Sequence, residues 1–100
     1  MFEKASPRVG VLTLWLRLPG CGSLKEKRRR LRPLLSRLQR EFNASVAEVA
    51  AQDAWQDAVI ACAWVGTDAA YVQRALQGLR GWLETHWPEG WVVEERFEVY

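Results

Sequence analysis

The stretch VGVLTLWLRLPGCGSLKEKRRRLRPLL, residues 9–35, changes its apolar period midway, and that change decides the fold. Up to Leu18 the residues are mostly β-branched or large and apolar and end at Pro19-Gly20, the composition and the stop of a strand. Successive strand side chains point to opposite faces. Leu12, Leu14, Leu16 and Leu18 therefore make one wholly apolar face, the expected core side, while Val11, Thr13, Trp15 and Arg17 make a mixed one. Beyond Gly22 the period becomes helical. Ser23 with Glu26 three positions on forms a capping box, each side chain accepting from the other residue's backbone N–H. Leu24, Leu31, Leu35, Leu38 and Phe42 then recur at intervals of seven, four, three and four, a single stripe at 3.6 residues per turn that Leu34 widens. Pro33 falls inside this pattern and predicts a kink without a stop, because the stripe continues past it.

After a turn at Asn43-Ala44, SVAEVA (45–50) and WQDAVIACAWVG (55–66) predict two strands joined by a short antiparallel connection. The second is apolar on both faces, Val59, Ala61, Ala63 and Val65 on one and Ile60, Cys62 and Trp64 on the other, so each face needs a cover. Thr67 or Asp68 caps a second helix whose stripe is Val72, Leu76, Leu79 and Leu83; Gly78 and Gly81 weaken it without ending it. Pro88-Glu89-Gly90 turns the chain into a last strand, WVVEERFEVY, with Trp91, Val93, Phe97 and Val99 at its apolar odd positions. The order βαββαβ predicts an α+β, ferredoxin-like split βαβ fold, a four-stranded antiparallel sheet with two helices on one face. With 100 residues, 49% of them apolar, the chain can build one core, and residues 1–100 are expected to form a single domain.

No run of eighteen apolar residues spans a membrane, and the opening MFEKASPR has no apolar signal core, so a cytoplasmic protein is expected. Cys21 and Cys62 stand far apart with no CxxC or Cys/His pattern; reduced thiols and no metal are expected, Cys62 in the core and Cys21 in a loop. The net charge of +2 hides an asymmetry: residues 1–50 carry eleven Lys or Arg against four acids, and residues 51–100 three against eight. A local field depends on where charges sit, so charge-borne function belongs to the first half.

The first helix concentrates that charge. At 100° per residue, Lys25, Arg29, Arg32 and Arg40 fall in about one quadrant beside the leucine stripe, with Arg30 and Arg37 on the other flank and Lys27 between them in the run. A plain solvated face is one account of them. Phosphate contact is the other: arginine's planar fork takes two oxygens at once, and cations in a first helical turn oppose the helix dipole unless an anion joins them. The GCGS loop is no phosphate-cradling motif, since GxxxxGK[ST] is absent and GxGxxG fails at Lys25; its glycines let the chain turn. The candidate nucleic-acid contacts are Lys25, Lys27, Arg29, Arg30, Arg32 and Arg40. Trp15, Ile60 and Trp64 are expected together on the sheet face opposite the helices. There they could stack RNA bases, but the third strand lacks the RNA-recognition-motif signature, and a homodimer interface is the better expectation. Catalysis finds no support: His86 is the single histidine, at a helix end, and Glu48, Asp53 and Asp57 have no nucleophile beside them.

Three segments, SLKEKR at 23–28, REFNASVAEV at 40–49 and QDAWQ at 52–56, are similar to the YlxP-like family of small bacterial proteins, domain-of-unknown-function family 503, and the similarity extends over nearly the whole chain. The resemblance implies a ferredoxin-like fold and no established activity. Gene neighbours for translation initiation factor two and ribosome-binding factor A further imply a place near ribosome maturation or translation. At Ala50 and Ala51, where relatives commonly carry an acid and a histidine, this chain departs from the pattern, and chemistry resting on that pair does not transfer. The expectation is a non-enzymatic, RNA- or ribosome-associated accessory protein without a cofactor. The alternative is a dimeric protein-interaction or small-ligand regulatory module with no nucleic-acid role.

Overall fold

In the computed structural model, which describes residues 3–100, strand β1 (Arg8–Arg17) lies inside the sheet with a neighbour on each side. Met1 and Phe2, the start of the stretch read for a leader, lie outside the described residues. The remaining elements are α1 (Leu24–Phe42), β2 (Ser45–Ala50), β3 (Asp57–Gly66), α2 (Ala69–His86) and β4 (Trp91–Val99). Strand order is β2-β3-β1-β4 with every pair antiparallel, the ferredoxin-like arrangement. Both helices cover one face, since Leu31, Leu34 and Leu38 of α1 and Val72, Leu76, Leu79 and Leu83 of α2 share a single buried cluster with Leu12, Leu14 and Leu16 of β1 and Ile60 and Cys62 of β3.

α1 runs unbroken through Pro33 to a left-handed Asn43. Asp68 is the cap of α2, its Oδ1 accepting from Tyr71 N–H at 2.8 Å. The expected start of β3 at residue 55 moves to Asp57, because Trp55 and Gln56 stay in the connection. Cys21 is a loop residue yet fully buried in the core beside Leu18; Cys62 is buried in β3, where desolvation pushes its thiol up to about 12.

Register overturns the expected trio on the open face. Trp15 pairs with Val59 and Leu14 with Ile60, and directly opposed residues of paired strands share a face. Ile60 therefore sits with Leu14 under the helices, with no exposed surface, and Trp64 joins the same side, its Nε1–H donating to the Phe42 carbonyl at the end of α1. Trp15 alone of the three is on the open face, with the Arg96 guanidinium 5.7 Å from its ring. A second correction concerns β4. The ladder passes from Trp15↔Glu94 to Leu16↔Val92, so Val93 is looped out and the alternation changes phase. Phe97 and Val99 keep the core side, whereas Val92 replaces the expected Trp91 and Val93, which are both exposed.

The helix layer reaches the sheet most closely at Gly10. A Cβ there would collide with Cγ1 of Val72 and stand 3.0 Å from Leu76 Cδ1, and at Gly66 a Cβ would stand 2.7 Å from the other Val72 methyl. The absence of two side chains thus sets how near α2 lies to β1 and β3. Gly10→Val is expected to destabilise the fold by about 1–3 kcal/mol by overpacking, and Val72→Ala added to it to recover part of the loss, both read by urea denaturation.

Candidate nucleic-acid interface

The basic helix begins with an anion of its own. Glu26 N–H donates to Ser23 Oγ at 3.0 Å as the capping box requires, but the Glu26 carboxylate accepts from Gly22 N–H at 2.6 Å, one residue earlier than the expected Ser23. The loop glycines thus present an amide to a carboxylate inside the chain. That bond, ahead of the Cys21 side chain and the charges of Arg30 and Arg29, holds the Glu26 carboxyl below its ordinary range.

Two of the expected phosphate contacts are spent inside the protein. Lys27 is buried, with 2% of its side chain exposed; its ammonium donates to the Ala51 and Ala54 carbonyls at 2.7 and 2.9 Å and pairs with the Glu48 carboxylate at 2.8 Å. Two of its three protons are given to carbonyls, and the Glu48 carboxylate opposes its charge. Arg30 is the second. Its Nε meets Glu89 Oε2 at 2.6 Å, while its terminal nitrogens donate to the carbonyls of Pro19 and Glu89. It ties α1 to the loop behind it and to the turn before β4. Neither side chain is an exterior contact, because each lies on a flank of α1 that packs against other segments.

Lys25, Arg29 and Arg32 do project outward, and the exposed Arg28 joins them in lining an open surface of about 530 Å³ beside Pro33. Among the described residues, only Arg29 of these four has a carboxylate within ion-pair distance, Glu26 at 3.7 Å. Arg40 is exposed in the last turn and does not line this surface.

A feature missed in the sequence adjoins it. Where α1 faces the end of α2, a cleft of about 530 Å³ is bordered by Arg29, Pro33, Arg37, Trp82, His86 and Trp87 among others. The Arg37 guanidinium lies 4.8 Å from the Trp82 ring centre, and His86 stacks on Trp82 at 4.9 Å with planes 7° apart. Phe42 meets Trp82 edge-on at 5.9 Å. The signal was the four-residue spacing of Trp82 and His86, which puts them on adjacent turns of one helix face. Cleft and cationic surface share Arg29 and Pro33, so they form one continuous region.

No helix of the described residues is long and apolar enough to cross a membrane, and no three His, Cys, Asp or Glu among them are grouped to hold a metal ion. The model of the family described as "Protein of unknown function (DUF503)" matches residues 9–96. A Bacillus subtilis (strain 168) protein described as "Uncharacterized protein YlxP" is 37% identical over 64 residues, covering 64% of this chain and 70% of its own length.

The contrast between two neighbouring lysines is measurable. Lys27→Met strands the Ala54 carbonyl and leaves the Glu48 carboxylate without its cation, and is expected to cost about 2–4 kcal/mol of stability. Lys25→Met, on the outer face, is expected to stay within about 0.5 kcal/mol of the parent in the same thermal and urea unfolding series.

Proposed function

This chain belongs to the DUF503 family, and on that premise we propose that it is a non-enzymatic accessory protein that binds RNA through phosphate contacts on the outer face of α1. The observation that carries this reading is the sorting of the cations. Lys27 and Arg30 are neutralised internally, and Lys25, Arg28 and Arg32 are left outward without carboxylates among the described residues. Three adjacent cations that neutralise no carboxylate are held close together against their mutual repulsion, and a polyanion offsets that cost. Arginine predominance suits phosphate, whose oxygens the guanidinium fork can hold in pairs.

Replacing Lys25, Arg28 and Arg32 together by Gln is expected to leave the fold intact, because all three side chains are exposed. Affinity for ribosomal RNA should fall across sequences, and the slope of log affinity against log salt should shrink by about 0.7–0.9 for each phosphate that the variant no longer neutralises. A folded triple variant with the parent's affinity and slope overturns the reading.

A second reading, association of two copies, draws support from the open sheet face. In register order this face carries Ala47, Ala61 and Thr13 in one row and Ala50, Val59 and Trp15 in the next, with Val65 63% exposed beyond them. Small apolar side chains make it flat enough for a second sheet. The bordering β4 row alternates Glu94, Arg96 and Glu98, a pattern that a twofold-related copy can answer with opposite charges. Ala61→Glu would then convert a dimer to a monomer in light scattering at tens of micromolar, while a monomeric parent removes the reading.

A further inference from the structure

The geometry points to a single-stranded RNA site in which the cleft between α1 and α2 receives an unpaired base while the adjoining face of α1 holds its phosphates. This rests on the phosphate reading above and narrows its ligand from RNA in general to strands with unpaired bases. Trp82 and His86 form a stacked pair, and His86 is exposed, so its imidazole offers the cleft a flat face on the side turned from Trp82. His86 Nδ1 lies 3.0 Å from the Trp82 carbonyl oxygen, which can only accept. Thr85 Oγ1 stands 2.8 Å from the same nitrogen, and the two contacts together hold the ring parallel to the indole.

The charges around the pair suit a nucleotide. Arg37 stacks against Trp82, leaving its guanidinium beside the aromatic column, and Arg29 stands where the cleft passes into the cationic surface. Two carboxylates also border the cleft, but each is already satisfied, Glu26 by Gly22 N–H and Glu89 by Arg30. The cleft volume of about 530 Å³ falls within the size range of small-molecule pockets, about 300–1,000 Å³. In a duplex the bases are stacked on one another and cannot enter such a cleft; in a single strand they can, and stacking on a side-chain ring is sequence-tolerant. An acidic polypeptide would satisfy the cations but leave the planar pair unused.

The experiment is a fluorescence anisotropy titration of the full chain with a labelled single-stranded RNA of about twelve nucleotides and with the same strand in a duplex. The probe is used with parent, His86→Ala and His86→Phe proteins at several salt concentrations. The parent is expected to bind the single strand about tenfold more tightly than the duplex. His86→Ala should lose about 5- to 100-fold in single-strand affinity with an unchanged salt slope and unchanged duplex affinity, and His86→Phe should restore most of the loss. Equal binding of strand and duplex, no effect of His86→Ala, or no rescue by Phe each overturns the base site while leaving the phosphate reading in place. Polyglutamate competing as well as single-stranded RNA also overturns it. Failure of the parent to bind either RNA form removes the phosphate reading itself, and this site with it.

Discussion

One buried ammonium organises the placement of α1. Lys27 reaches from the helix to Glu48 on β2 and to the carbonyls of Ala51 and Ala54 in the connection that follows. A buried cation is tolerated only when its protons and its charge are answered, and here two carbonyls accept from it and the Glu48 carboxylate opposes its charge. Ala51 holds a left-handed backbone, φ 60°, which costs a residue with a Cβ about 1–2 kcal/mol. Its carbonyl also receives Ala54 N–H, so the ammonium and the turn hold that conformation between them. Lys27, Glu48 and Ala54 stand in the segments 23–28, 40–49 and 52–56, so this contact joins all three.

With α1 tethered on that side and by Arg30 on the other, its rotation is settled, and the rotation sorts the charge. Lys27 and Arg30 are drawn inward to acceptors, while Lys25, Arg28 and Arg32, offset from them around the axis, have none within reach among the described residues. Glu26 answers the start of the helix from within: it accepts Gly22 N–H where an external anion would otherwise bind. The basic run is thus neither a uniform solvated face nor a phosphate cradle at a helix end. It is a divided set whose outer members border a cleft that contains a stacked Trp82–His86 pair.

The sheet leaves a second surface with different physics. Opposite the helices, Ala47, Ala61 and Val65 offer contact without hydrogen-bonding groups, and the charges are confined to β4 and to the Arg17–Asp57 pair. Polyanion contact weakens with salt, whereas contact through such a face responds little to it.

The amino-acid sequence by itself determined the element order, the leucine faces of β1 and α1, the caps at Ser23 and Asp68, and the concentration of cations in the first helix. These follow from periods of 2 and 3.6 and from side chains bonding their own backbone neighbourhood, all of which are local. Only the tertiary structure decided which residues face one another. Register across β1 and β3 carried Ile60 and Trp64 to the helix side and left Trp15 opposite, because pairing joins residues that local alternation treats as independent. The phase change at Val93 likewise depends on a neighbouring strand. Lys27 and Arg28 are consecutive and chemically alike, yet one is buried and the other exposed, because acceptors twenty-odd residues away lie on only one side of the helix. The Trp82–His86 pair was within reach of helical spacing, but its standing beside Arg37 and Arg29 required α1 and α2 to be packed, a long-range outcome that no local pattern encodes.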